Sequence, residues 1–250
     1  MRTAAELGAG AQEVGVPEAA PVSDADLTRL TAELDKKLAL ERNPDKWPDA
    51  ARLPLWDFAR QVQAARVTPA QQARALAHLD QIGRAHAGGA KAVEKPAYMI
   101  TSLSIGKVAP EVTGTDLDGA PLRLRDYRGK VVVLLFSGDW CGICRSDYPY
   151  TRQLLDRFKH ADVVVLGVDS GRSLEEAKQA KSAQGLAYRA FWDGGSARNT
   201  EGPIATAWHV VGWPTTYVID PRGVIRFVDV RREALAEAVA QLVPLATPAR

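Results

Sequence analysis

Residues 131–144 read V-V-V-L-L-F-S-G-D-W-C-G-I-C. Val131 to Phe136 is a run of six apolar residues rich in β-branched types, which predicts a buried central strand. After a short loop, apolar residues recur near the 3.6-residue period of a helix, at Tyr148, Leu154, Leu155 and Phe158. The sequence therefore places a Cys-x-x-Cys where a buried strand passes into a helix.

The two cysteines of this motif have the spacing of a redox dithiol. Residues three positions apart face each other across one helical turn, so Cys141 and Cys144 can close a disulfide with little backbone movement. Unpaired N–H groups and the helix dipole stabilise a thiolate at the helix start, where Cys141 lies. A thiol with a pKa of ~8.5 is about 3% thiolate at pH 7, whereas a pKa of ~7 makes it roughly half. The pattern predicts a reactive dithiol.

Composition and charge exclude several classes of protein. The chain has 250 residues, 46% hydrophobic and 25% charged, which is typical of one globular domain with a smaller companion. A net charge of +2 gives no electrostatic case for binding nucleic acid. No apolar run approaches the ~18 residues of a membrane span.

The N-terminus and the cysteine count bear on the compartment. Both cysteines lie in the motif, so a structural disulfide would consume it. Met1 to Glu6 does not begin an apolar core of ~7–15 residues, so no signal peptide is predicted. We expect a periplasmic or exported protein if an export segment has been removed, and a cytoplasmic one otherwise.

The first hundred residues differ in pattern from the rest. Residues 1–22 show no periodicity and predict a disordered tail. Residues 23–86 predict a helical region of about three helices, the third launched by the capping box Thr68-Pro69-Ala70-Gln71. Residues 87–102, with their Gly-Gly and Lys-Pro pairs, predict a linker. We expect the helical region to be a packing or partner-binding surface.

Residues 103–250 alternate strands with helices. Asp118-Gly119 predicts a hairpin turn, and Val163 to Val168 predicts a second buried strand. Two further strands, 215–219 and 224–228, are followed by an amphipathic helix at 232–242. The order predicts an α/β fold with a mixed central sheet and helices on both faces.

Several motifs in this region resemble those of the thioredoxin superfamily. W-C-G-I-C after a buried strand is joined by G-W-P-T-T-Y-V-I-D at 212–220, and the superfamily's second signature is a cis-proline that faces the dithiol. The separation of the two motifs is longer than in plain thioredoxin and resembles the TlpA/ResA-like oxidoreductases and the redoxin or AhpC/TSA group. I-G-K-V-A-P-E-V at 105–112 and C-R-S-D-Y-P-Y at 144–150 fit that branch. The resemblance covers about residues 103–245.

The resemblance implies a thioredoxin-like fold with a helical N-terminal extension and a thiol-disulfide oxidoreductase activity. Cys141 would attack a protein disulfide, and Cys144 would resolve the mixed disulfide. Protein thiols and disulfides, with an upstream dithiol reductant, would be the partners. No organic cofactor and no metal are implied beyond the redox-active disulfide itself.

The resemblance also implies a set of substrate-binding residues. Pro214, expected in the cis form, would hold its loop against the sulfurs and offer backbone hydrogen bonds to an extended substrate segment. Trp140 and Trp213 would flank the dithiol as apolar walls, and Thr215 completes the set.

Two departures from thioredoxin affect the chemistry. Gly142-Ile143 replaces the Gly-Pro pair that tunes the redox potential, so reductant and oxidant both stay open. Leu135 occupies the position of the buried acid of thioredoxin. The proton acceptor for Cys144 must then come from elsewhere, with Asp139 or water as the candidates.

Three other classes compete with this interpretation. Tetrahedral zinc needs two more ligands, and the four histidines have no metal-ligand spacing. Copper-binding Sco-like proteins have three residues between their cysteines, whereas two separate them here. A peroxiredoxin-like peroxidase would carry P-x-x-x-T-x-x-C, and the run L-L-F-S-G-D-W-C lacks that proline and threonine.

Overall fold

The computed structural model of the chain describes residues 21–41, 43, 45–171, 173–194 and 202–245. The tail predicted at 1–22 falls almost wholly outside the described residues. Within the described ranges, no helix has both the length and the apolar character that crossing a membrane requires.

Among the described residues, the N-terminal part is a unit of four helices, one more than the sequence predicts. Side-chain capping boxes start two of them, at Ser23 and at Thr68, as S/T-x-x-D and T-x-x-Q patterns do. Apolar stripes bury one face of each helix in a common core. The four helices are α1 (Asp24–Leu38), α2 (Trp47–Gln63), α3 (Pro69–Ala85) and α4 (Gly89–Ser102).

The predicted linker at 87–102 is wrong, because most of it forms α4. Glycine serves here for close packing: a Cβ at Gly89 would lie 2.7 Å from the carbonyl oxygen of Gly83, so the pair brings α3 and α4 together. Pro96, taken as a helix breaker, is buried inside α4 beside the core residues Met99 and Ile100. Tertiary packing overrides the local breaker signals.

In the part of the chain that the structure describes, a short hairpin precedes a five-stranded mixed sheet. The hairpin turns at Asp118-Gly119 as predicted, and the order of the sheet is β5-β4-β3-β6-β7. β3 is parallel to β4 and antiparallel to β6, so it occupies the centre. The strands are β1 (Thr113–Thr115), β2 (Pro121–Arg123), β3 (Val131–Ser137), β4 (Val163–Ser170), β5 (Arg189–Gly194), β6 (Thr215–Ile219) and β7 (Ile225–Val228).

Helices cover both faces of this sheet, as the sequence predicts. Val131, Val133 and Val165 pack against the helices α5 and α8, whereas their neighbours in the strands face the N-terminal unit. The helices of this part are α5 (Gly142–Arg157), α6 (Leu174–Ala183), α7 (Pro203–Ala207) and α8 (Arg232–Leu242).

The four-helix unit and the sheet share one continuous apolar core. Gln63 of α2 is 1% exposed, and its amide donates hydrogen bonds to the Leu103 carbonyl and to the Tyr217 hydroxyl on β6, both at 3.0 Å. Arg60 forms an ion pair with Asp229 after β7 at 2.8 Å. The unit therefore packs against the sheet beside the strand that follows Pro214.

Candidate active site

Cys141 and Cys144 are joined by a disulfide at the start of α5, with their Cα atoms 5.2 Å apart. Cys141 is the N-cap residue, and its sulfur accepts a hydrogen bond of 3.2 Å from the Cys144 N–H. This is the position at which helix N–H groups stabilise sulfur anions. Both cysteines are buried, Cys144 more deeply than Cys141.

The loop between β3 and α5 is fixed against the end of β4. The Trp140 indole N–H donates a hydrogen bond of 2.6 Å to the Ser170 carbonyl. A Cβ at Gly138 would collide with that carbonyl and with the indole, so only glycine permits this approach. Trp140 meets Trp213 edge to face, with ring centroids 5.6 Å apart. The two tryptophans predicted to flank the dithiol thus contact each other.

The loop before β6 supplies the other predicted residues. The Trp213–Pro214 peptide bond is cis, as expected from the sequence. Thr215 is buried and donates a hydrogen bond of 2.8 Å to the Gly212 carbonyl, so its hydroxyl holds the loop. Pro214 lines a small pocket together with Cys144.

This pocket also holds an acid that the sequence analysis did not single out. Asp147 lines it, one helical turn after Cys144, and forms ion pairs with Arg231 at 2.6 Å and Arg232 at 3.1 Å. The spacing of three residues from Cys144 to Asp147 is visible in the sequence, but the two arginines come from the start of α8, about 85 residues later. Tyr148 lies beside Asp147, and burial with the charges of Asp169 and Asp139 raises the pKa of its phenol to about 12.

Comparison with known proteins places the chain in a family. The family model of AhpC/TSA matches residues 105–228. The thiol-disulfide oxidoreductase ResA of Geobacillus kaustophilus is 32% identical over 126 residues, which cover 50% of this chain and 69% of the relative. The chain belongs to the TlpA/ResA-like branch of the thioredoxin superfamily. ResA of Bacillus thuringiensis subsp. konkukian is 29% identical over 146 residues, covering 58% of this TlpA/ResA-like chain and 80% of that one.

Solved structures agree with this placement. The thioredoxin domain of a thiol-disulfide oxidoreductase from Bacteroides vulgatus has a TM-score of 0.51 and 29% identity, over 57% of this chain and 99% of that one. A thiol:disulfide interchange protein from Bacteroides sp. has a TM-score of 0.50 and 28% identity, over 58% and 93%. The TlpA/ResA-like chain is therefore a thiol-disulfide oxidoreductase with a thioredoxin-like fold. Residues before 105 lie outside the family match.

Proposed function

We propose that the Cys141–Cys144 dithiol reduces disulfide bonds in other proteins. The observation that supports the proposal is the placement of this pair: a disulfide at the N-terminus of α5, whose Cys144 lines a pocket together with Pro214. The names of the related proteins support thiol-disulfide exchange in general. An upstream dithiol would return the pair to its reduced form.

The proposed reaction has two exchange steps. The Cys141 thiolate attacks one sulfur of the substrate disulfide, and the other substrate sulfur leaves as a thiolate that takes a proton. The Cys144 sulfur then attacks Cys141, giving up its own proton, and the first substrate sulfur leaves with the electron pair of the mixed disulfide. Two electrons pass to the substrate, and the Cys141–Cys144 disulfide is the oxidised product.

Trp140, Trp213, Pro214 and Thr215 are proposed to shape the substrate site. An extended segment of substrate would lie along the loop that carries Pro214, with the two indoles as an apolar wall. Thr215 would act through its hydrogen bond to Gly212, which fixes this loop.

Reduction of insulin disulfides by the wild type, by Cys141→Ser and by Cys144→Ser tests the proposal. We expect turnover in the wild type alone, because each variant lacks one of the two exchange steps. Cys144→Ser should accumulate a mixed disulfide with insulin, seen as a mass increase that dithiothreitol removes. Unchanged turnover in Cys141→Ser would exclude this mechanism.

Two parallel assays address the competing classes. Consumption of hydrogen peroxide with a thiol donor, at a rate above that of insulin reduction, would favour a peroxidase. Stoichiometric binding of Cu(I) by both cysteines without insulin reduction would favour a copper carrier. The Gly142-Ile143 pair leaves the direction of electron flow to the redox potential of the couple, for which roughly −270 mV indicates a reductant and roughly −120 mV an oxidant.

A further inference from the structure

A buried acid with an unpaired oxygen lies at the end of β4. Asp169 is 7% exposed, and its Oδ1 atom has no hydrogen-bond partner among the residues that the structure describes. Leaving a carboxylate oxygen buried and unpaired is costly, so such a group calls for an explanation. Neither the packing of β4 nor the exchange steps above use it.

The strand register places Asp169 on the same side of the sheet as the dithiol helix. Asp169 is the partner of Ser137 in the parallel pairing of β4 with β3, so the two side chains point to the same face. That face is the one covered by α5, since Val165, two steps of alternation earlier, packs there. Ser137 lines the same pocket as Cys144.

Asp169 lies one strand away from Leu135, which occupies the position of the buried acid of thioredoxin. Leu135 pairs with Gly167 of β4 and lines the Cys144 pocket without offering an acid. Asp169 stands one strand away on the same face and two residues nearer the edge where α5 begins. Asp147 is closer to Cys144 along the chain, but its oxygens are already held by Arg231 and Arg232.

Charged groups from two neighbouring elements act on Asp169. Burial raises the pKa of its carboxyl to about 6, Lys181 on α6 opposes that rise, and Asp139 in the dithiol loop adds to it. Burial lowers the pKa of Lys181 to about 8. Its ammonium lies 2.7 Å from the backbone carbonyl oxygen of Tyr188 and over the aromatic ring of the same residue. The Asp139 carboxylate turns towards the end of β4, 3.6 Å from where a Cβ would stand at Gly171.

Two phenols interact with the charge of Asp169, and a guanidinium binds the backbone of Asp139. The charge of Asp169 reaches Tyr148 on α5 and Tyr188 before β5, and burial is the first cause of the raised pKa of both phenols. The Ser137 side chain interacts with the Tyr188 phenol. Arg145 on α5 donates a hydrogen bond of 2.6 Å to the Asp139 carbonyl. Ser137 thus lines the Cys144 pocket and is the register partner of Asp169 on the neighbouring strand.

We propose that the Asp169 carboxylate is the base that takes up, through the Ser137 hydroxyl, the proton that Cys144 releases during resolution. This inference rests on the proposed function. As the Cys144 sulfur bonds to the Cys141 sulfur, its proton passes to the Asp169 carboxylate. The substrate sulfur leaves with the electron pair of the mixed disulfide and takes a proton from water. Asp169 then returns its proton to solvent before the next cycle.

The pH profile of single-turnover insulin reduction tests this role, measured from pH 4.5 to 7.5 with the prereduced protein. The wild-type rate should show an inflection near pH 6, where Asp169 becomes able to accept a proton. Asp169→Asn should lose that inflection and react about tenfold or more slowly at pH 7, since general-base assistance is typically worth at least that much. Asp156→Asn, an exposed acid on α5 with the same change of charge, is the control and should keep the wild-type profile.

Two further variants should shift the inflection of the pH profile in opposite directions. Asp139→Asn removes a negative charge that raises the pKa of Asp169, so the inflection should move to lower pH. Lys181→Met removes a positive charge that lowers the pKa of Asp169, so the inflection should move to higher pH. A purely structural role for Asp169 would not produce opposite shifts.

A wild-type profile in Asp169→Asn would overturn the inference while leaving the proposed function intact. Failure of the wild type itself to reduce insulin would instead count against the proposed function. Carbon-13 NMR titration of the Asp169 carboxyl uses the wild-type protein, so this measurement does not depend on whether the variant folds. A midpoint in the ordinary range of aspartate, near 4, would overturn the inference, and one near 6 would support it.

Discussion

Replacing Asp169 by asparagine should make the folded protein more stable at neutral pH. The carboxyl has a pKa of about 6 when folded and an ordinary value of 3.8 when the chain is unfolded. Between these two pH values the folded chain holds a proton that the unfolded chain has lost. The free energy of unfolding of the wild type therefore falls by 1.36 kcal/mol per pH unit across this window. Asparagine has no proton to lose, so its variant lacks the slope.

The expected gain follows from the width of that window. A difference of about two pKa units corresponds to about 3 kcal/mol at pH 7, and the attraction of Lys181 is already contained in the folded pKa of Asp169. Asparagine has nearly the same shape, so no cavity offsets the gain. For a chain of this size, a change of 3 kcal/mol raises the melting temperature by about 6–12 °C.

Urea unfolding of the two oxidised proteins at pH steps from 4 to 7.5 checks the magnitude. The stability difference should be near zero at pH 4 and should grow until about pH 6.5. The range stops at 7.5 because Lys181 begins to titrate near pH 8. A variant less stable than the wild type at pH 7, or a difference that does not change with pH, would refute the assignment of a buried, proton-holding carboxyl.

Three further predictions concern the N-terminal unit and its contact with the sheet. Gln63→Leu leaves two buried oxygens without their donor and should lower the free energy of unfolding, measured with urea, by about 2–4 kcal/mol. Gln61→Leu is an exposed change on the same helix and should lower it by less than about 0.5 kcal/mol. Leu55→Ala should cost about 2–5 kcal/mol while circular dichroism and tryptophan fluorescence report one coincident transition, because the core is continuous; two separate transitions would contradict this. His209 should titrate below pH 6.5 by proton NMR, since burial and then the charge of Lys95 lower its pKa; a midpoint at or above 6.5 would contradict this.

The strands and helices around the dithiol could be predicted from the sequence because their signals are local. The β-branched run from Val131 to Phe136 favours a buried strand, and a Cys-x-x-Cys directly after it favours the start of a helix. The helix at 232–242 has the predicted bounds, and the remaining strands lie within a few residues of theirs. The cis form of Pro214 came from the family resemblance rather than from the residues themselves.

What the sequence did not yield depends on contacts between distant segments. The helix α4 exists because Gly83 and Gly89 let two helices touch, which no local breaker rule describes. No sequence pattern marks Asp169, because its surroundings follow from the register of β4 with β3. Asp147 gains its partners from the start of α8, far along the chain.

The amide of Gln63, wedged between the Leu103 carbonyl and the Tyr217 hydroxyl, has a practical consequence for protein engineering. A fragment that begins at residue 105, where the family match starts, would expose the apolar sheet surface beneath α2 and leave the Tyr217 hydroxyl without its hydrogen bond from Gln63. A transfer of this redox centre into another scaffold therefore has to include the four-helix unit.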